Sequence, residues 1–338
     1  MRFIMLFLAI APAMVWLHYF WERGSFRVYY ESLLTALAIG AVVAFPAAAV
    51  ALFTMGTMNA GGDIHLQALA NAFLGASIPE EIAKFCGIFI CLYRGRNELR
   101  RPYDIVVIGV AVSVGFAALE NMFYIGDSEN WRATAFLRSL TAVPGHAFTG
   151  AIMGTLIAIS RIRSGSRTFL ILALCLPVIL HGLYDYLVFL EQIIRSRHIT
   201  ALFWMAELAQ LAFILVVSGE GILSLKISAR ILNSPLKFES APYPDLSPLF
   251  LKKWQKADRL RYWLWFLLSL VMIAAGLLLG LYLILSAEDY GSLIFEFGET
   301  RNIPRLFLGL GLCIFLGFHG FTFFRHGRSQ KRLNSKIR

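Results

Sequence analysis

Nine stretches of this chain are apolar for long enough to cross a bilayer, and that restricts its fold more than any other feature. A hydrocarbon core about 30 Å thick takes roughly 20 helical residues. The segments 2–21, 31–57, 66–93, 104–125, 135–160, 168–190, 200–225, 262–286 and 303–324 all reach that length. Backbone polar groups in hydrocarbon must be paired within a helix or around a closed barrel. Long unbroken blocks, rather than alternating ten-residue segments, select helices. The expected fold is therefore all-α: a polytopic transmembrane helical bundle of about nine spans, with kinked or broken helices around a polar pocket. Composition agrees, since 58% of the residues are hydrophobic and 15% are charged, against about 25% charged in soluble domains.

The formal net charge of +10 raises nucleic acid as a partner, but the placement of the charges argues for none. Lys and Arg gather in alternate connections: Arg23 and Arg27; Arg94, Arg96, Arg100 and Arg101; Arg161, Arg163 and Arg167; the stretch 226–261; and the tail from Arg325. The intervening connections hold few. This is the positive-inside pattern, and it predicts a cytoplasmic C-terminus and an external N-terminus, with Arg2 alone running against it for the first span. The partner it implies is the lipid bilayer. Four regions follow: an N-terminal helix and loop over 1–30, a membrane core over 31–225, a basic cytoplasmic loop over 226–261, and a two-helix extension with a basic tail over 262–338. Within the loop, Leu249-Phe250-Leu251-Lys252-Lys253-Trp254 reads as an amphipathic segment for the membrane surface. Cys86, Cys91, Cys175 and Cys313 all fall within expected spans with no CxxC pair, which supports neither a disulfide framework nor a thiolate metal site.

Against that background the run Ile78-Pro79-Glu80-Glu81-Ile82-Ala83-Lys84 is out of place. One ionised side chain in hydrocarbon costs at least about 2.5–3.5 kcal/mol, so three together must face one another or a wet cavity. On a helix Glu80 and Lys84 are i,i+4 neighbours and Glu81 and Lys84 are i,i+3 neighbours, so both carboxylates reach the ammonium. Ser77, three residues before Glu80, matches a capping box. That predicts a break in the third segment and a fresh helix beginning near 78, with Glu80 partly structural.

Three further groups occupy the next spans. Glu120 and Asn121, with Tyr124 one turn on, lie in the fourth. His146 follows Pro144 and Gly145 in the fifth. His181 and Asp185, four residues apart in the sixth, are spaced so that a carboxylate can orient an imidazole ring. Three of the four groups follow a proline closely, and broken helical backbone at membrane depth is tolerated where it lines a cavity. Acids and histidines together suit hydrolysis of a peptide by activated water. They also suit ion or proton coupling in a transporter, and spacing alone does not separate the two. There is no HExxH, so the helix-borne zinc site of that motif is absent.

The order Glu80-Glu81 with Lys84, then Gly115-Phe116-Ala117 with Glu120-Asn121 and Tyr124, then Gly145-His146-Ala147 with Gly150, then His181-Gly182 with Tyr184 and Asp185 resembles the PrsW family of intramembrane proteases. That family is related to the prenyl-CAAX processing endopeptidases and to the scaffold subunit of gamma-secretase. The resemblance covers roughly residues 30–220 and leaves the first helix and the C-terminal part outside. It implies an endopeptidase of a bacterial plasma membrane that cuts membrane-anchored proteins, an anti-sigma factor among them, on the extracytoplasmic side. By motif it implies Glu80, Glu81, Glu120, Asn121, His146 and His181 as catalytic candidates: the acids to activate water, the histidines to orient water or bind an oxyanion, and Asn121 as an oxyanion or substrate donor. Lys84, Tyr124 and Asp185 would support them. The cofactor implied is either a divalent metal such as zinc, held by Glu120, His146 and His181, or none. A non-catalytic scaffold subunit and an ion-coupled transporter are the alternatives.

Overall fold

The computed structural model describes residues 2–232, apart from 25–27, 58–62, 95–98, 100, 129 and 164. The basic loop beyond Leu232, its amphipathic segment and the spans expected at 262–286 and 303–324 lie outside the described residues. Among those described there is no strand. The helices are α1 (Arg2–Arg23), α2 (Tyr30–Thr57), α3 (Ile64–Ala70), α4 (Ile78–Arg94), α5 (Pro102–Asp127), α6 (Trp131–Leu140), α7 (Ala142–Ile162), α8 (Arg167–Ser196) and α9 (Phe203–Leu232). Two compact units divide the chain, Met1–Thr200 with Leu215–Ser240 and Ala201–Ile214 with Ala241–Arg338. The polar groups described below belong to the first.

Among the described residues, five helical stretches are long and apolar enough to cross a membrane: Tyr30–Thr54, Pro102–Asp127, Trp131–Ile162, Arg167–Ser196 and Thr200–Leu232. The protein is therefore an all-helical integral membrane protein. Two expected segments change form. The fifth, 135–160, is split at Thr141, whose backbone leaves the helical region (φ −122°, ψ −70°); the short α6 precedes the break and α7 follows it. The third does not break near 78. Instead α3 and α4 are joined by a π-helical stretch, Asn71–Ser77, and Ile78 remains helical (φ −63°, ψ −56°). The expected capping box does not form. A box needs the free N–H groups of a helix start, a continuous helix has none to offer, and the Ser77 hydroxyl is buried without a partner. Each residue that a π turn adds rotates the following helical face by about 100°, which sets where Glu80, Glu81 and Lys84 point.

α5 and α7 form the centre. Every residue of α5 from Pro102 to Ala117 is buried, as expected of a helix that is apolar all round. Between helices in a membrane there is no hydrophobic driving force, so close approach at small residues provides the packing. A Cβ on Gly109 would meet the Gly150 carbonyl, and one on Gly154 would sit 2.6 Å from the Ile105 carbonyl oxygen. α2 crosses α5 in the same way: Cβ atoms on Gly40 and Gly115 would collide with the Val112 and Leu37 carbonyls. α5 opens with Pro102 at its first position and the Asp104 carboxylate accepting from the Arg101 N–H at 2.8 Å, a start signal that tolerates proline. α1 lies against α5 and α6 through Ala9, Ile125, Trp131 and Ala135. Leu34, Val42, Phe45, Leu52 and Phe53 of α2 and Ile171 and Ile179 of α8 are exposed. Such a surface is costly in water and natural against lipid.

Candidate active site

Four helices and a helix break bring the sequence motifs into one connected cluster. α4 supplies Glu80, Glu81 and Lys84 from its first two turns, α5 supplies Glu120, α7 supplies His146 just after the break at Thr141, and α8 supplies His181 and Asp185. Lys84 and Glu81 are wholly buried. The Lys84 ammonium donates to Glu81 Oε1 at 2.8 Å, to Glu80 Oε2 at 3.4 Å and to His146 Nδ1 at 2.8 Å. Its three protons are thereby used, and Nζ also lies 4.5 Å from the Phe116 ring centroid.

The two imidazoles are engaged differently. Lys84 has only protons to give, so His146 Nδ1 must accept and Nε2 must carry the hydrogen. That N–H donates to Glu120 Oε2 at 2.9 Å. His181 has a carboxylate at each nitrogen: Glu81 Oε1 at 2.8 Å from Nδ1, and Asp185 Oδ2 at 3.1 Å from Nε2, with Glu80 Oε2 3.9 Å from Nε2. The two rings stand nearly perpendicular, 5.2 Å apart between centroids. Glu81 Oε1 is shared by Lys84 and His181, while its Oε2 is buried with no partner.

Arg138, on α6, was not singled out from the sequence. Its guanidinium lies 2.9 Å from Glu120 Oε2, donates through Nε to Asn121 Oδ1 at 2.6 Å and stacks 4.0 Å from the Tyr124 ring centroid. The signal was present, because Arg138 falls inside the expected span 135–160. Asn121 is fully buried, and its amide donates to the Ala9 carbonyl at 3.4 Å. Asn121 thus ties Arg138 to α1 through its oxygen and one of its two amide N–H groups. Tyr184 donates to the Thr141 hydroxyl at 3.1 Å, tying α8 to the break before α7.

Among the described residues, three donors come together as a metal site would need. Glu80, His146 and His181 each offer an atom, all within 4.8 Å of one another. Two imidazoles and one carboxylate form a donor class used by catalytic zinc, in which water or substrate takes the fourth position. The residues present therefore fit a divalent ion. Glu120, named in the expected set, is not in this group; its Oε2 faces His146 Nε2 and the Arg138 guanidinium.

Buried carboxylates and imidazoles among membrane-spanning helices, with one carboxylate oxygen unpartnered, are what the class of intramembrane hydrolases would require. The model of the PrsW family intramembrane metalloproteases matches residues 30–217, and the chain belongs to that family. Relatives named Protease PrsW include those of Halalkalibacterium halodurans, 34% identical over 192 residues (56% of this chain, 85% of the relative), and Geobacillus kaustophilus, 31% identical over 199 residues (58% and 84%). The Bacillus subtilis Protease PrsW is 31% identical over 182 residues, 53% of this chain and 79% of the relative. No solved structure matches the chain. The protein is accordingly an intramembrane protease, a peptidase acting on protein.

Proposed function

We propose that this protease hydrolyses membrane-anchored proteins with water activated by Glu81. The observation that carries the reading is the state of the Glu81 carboxylate, with one oxygen clamped by Lys84 and His181 and the other buried and unpartnered. Clamping fixes the carboxylate, and the open oxygen is where a water would lose its proton. The water oxygen attacks the scissile carbonyl carbon while its proton passes to Glu81 Oε2. When the C–N bond breaks, that proton goes to the leaving nitrogen and Glu81 is restored. Glu120, held by Arg138, orients His146; Asp185 orients His181. Asn121, Tyr124 and Arg138 act by positioning. A divalent ion held by Glu80, His146 and His181 would supply Lewis-acid polarisation of the scissile carbonyl.

The substrate class is suggested by the helices that carry these groups, which are long and apolar enough to span a bilayer, so a segment anchored in the same bilayer would reach them. An anti-sigma factor is one such substrate. We also read the alternating positive connections as a cytoplasmic C-terminus in a bacterial plasma membrane, with 262–286 and 303–324 as two further spans. The regions 1–30, 31–225, 226–261 and 262–338 keep their expected roles in this reading; α9 carries helix on to Leu232. Glu81→Gln and Glu120→Gln should each abolish cleavage of a single-pass reporter by the purified, reconstituted protein while leaving it folded. Full cleavage by both variants would sink the mechanism.

A further inference from the structure

One buried carboxyl is used by none of these steps. Glu220, on α9, lies three residues beyond the stretch 30–217 that the family model matches. It is 2% exposed, and neither of its oxygens has a hydrogen-bond partner. Its Oε2 lies 3.4 Å from the point where a Cβ on Gly145 would stand, immediately before His146. Gly145 is also the one partly exposed residue between Thr141 and Gly150. Gly221, the next residue, brings α9 against the Phe148 ring, whereas a Cβ on Gly219 would meet nothing within 4 Å.

A buried polar group without a partner is costly, and an apolar side chain of the same size would pack there at less cost. Such a group in a folded protein calls for an explanation. Glu220 is not part of the three-donor group formed by Glu80, His146 and His181. The chemistry of the reaction supplies another partner. To be cut, a membrane segment must leave the helical conformation, and each freed backbone N–H then needs an acceptor in a place with no bulk water. A carboxyl offers up to about four lone-pair sites. Turning Glu220 toward the partly exposed Gly145 breaks no hydrogen bond, because Glu220 makes none.

We propose that Glu220 is a substrate-binding residue that accepts backbone N–H hydrogen bonds from the unwound segment beside His146. This rests on the protease reading, so the test separates the two. The probe is a set of single-pass reporter peptides with Gly- and Pro-interrupted spans, in proteoliposomes of the full chain. If the wild type cuts none of them, or cuts them no better than Glu81→Gln, the protease reading fails. With a cleaved reporter, Glu220→Leu should raise KM roughly two- to tenfold, the range for a hydrogen bond between neutral groups. Its kcat should change little and its thermal stability should hold or rise, while Glu220→Gln, which keeps one acceptor oxygen, should fall between. Replacing single amide N–H groups of the reporter by ester oxygens should reveal one position that weakens binding to the wild type and adds no loss in Glu220→Leu. Unchanged KM in Glu220→Leu, a fall in kcat alone, or equal ester penalties in both proteins would overturn the proposal. Should Glu220→Leu not fold, the ester comparison with Glu220→Gln decides it: equal penalties overturn the proposal and a smaller penalty in the variant supports it.

Discussion

Replacing Lys84 by Met removes the ammonium and keeps most of the stem, so it isolates what the charge contributes. In a soluble protein, breaking a fully buried ion pair costs about 3–5 kcal/mol. That figure overcounts here. Both acids facing Lys84 lie on its own helix, Glu81 at 2.8 Å and Glu80 at 3.4 Å, and a membrane helix keeps its internal contacts when the bundle comes apart. To first order those two contacts cancel between assembled and separated helices. What separation breaks is the bond across to His146 Nδ1, 2.8 Å long and charge-assisted, hence worth about 1.5–3 kcal/mol; the contact of Nζ with the Phe116 ring is largely replaced in the variant by a thioether–ring contact of similar worth. Interhelical hydrogen bonds in a membrane protein average about 0.6 kcal/mol, so the two cases are distinguishable. Lys84→Met should lower assembly stability by about 1.5–3 kcal/mol, and a cycle with His146→Phe should return a coupling in the same range. Reversible unfolding in mixed micelles of rising SDS fraction, followed by tryptophan fluorescence, measures both. A coupling near or below 0.6 kcal/mol would refute the charge-assisted contact. A single-variant loss near 5 kcal/mol would refute the cancellation within α4.

Arg138→Met should release Glu120 and Asn121 together and cut the rate at least roughly tenfold. Arg138→Lys keeps the charge without the planar fork and should recover only part; initial rates in proteoliposomes check both, and a fully active Arg138→Met would remove Arg138 from the site. Gly109→Ala places a methyl against the Gly150 carbonyl and should cost about 1–3 kcal/mol in the micelle assay. Gly126→Ala, whose Cβ meets nothing within 4 Å, should be neutral or stabilising by up to about 1 kcal/mol. Lys84→Met should also bind zinc more tightly than the wild type, since it frees His146 Nδ1 and removes a positive charge beside the three donors; competition with a colorimetric chelator reads this, and weaker binding would overturn the donor set.

Segment lengths were legible because bilayer thickness imposes them: 31–57 and 104–125 fall within α2 and α5. The four motifs were legible as charges with no reason to be in hydrocarbon, and the structure joins them. The capping box at Ser77 misled because its residues also fit a continuous helix, and a π turn carries no residue signature of its own. Arg138 and Glu220 were visible as charges inside expected spans, yet each stands alone in sequence. Their meaning depends on partners from other helices. Which nitrogen of His146 meets Lys84, 62 residues earlier, depends on helix rotation, and rotation is decided by packing.

The packing also divides the site by rigidity. His146 and Glu120 ride on α7 and α5, whose spanning windows are 83% and 78% buried and whose backbones touch at glycines, leaving no slack for either helix to turn. His181 rides on α8, where the corresponding figure is 17%; its contact with the π stretch is Gly182 against the Phe73 ring, a side chain that can give way where a carbonyl cannot. Glu80, Glu81 and Lys84 follow that same π stretch, the weakest hydrogen-bonded part of their helix. One imidazole and its orienting acid are therefore fixed to the centre of the bundle, and the other imidazole and the proposed base sit on elements that can shift. A catalytic constellation tolerates only about 0.5 Å of error, so its precision depends on the contacts that cross between the two halves: Lys84 to His146, and Tyr184 to Thr141.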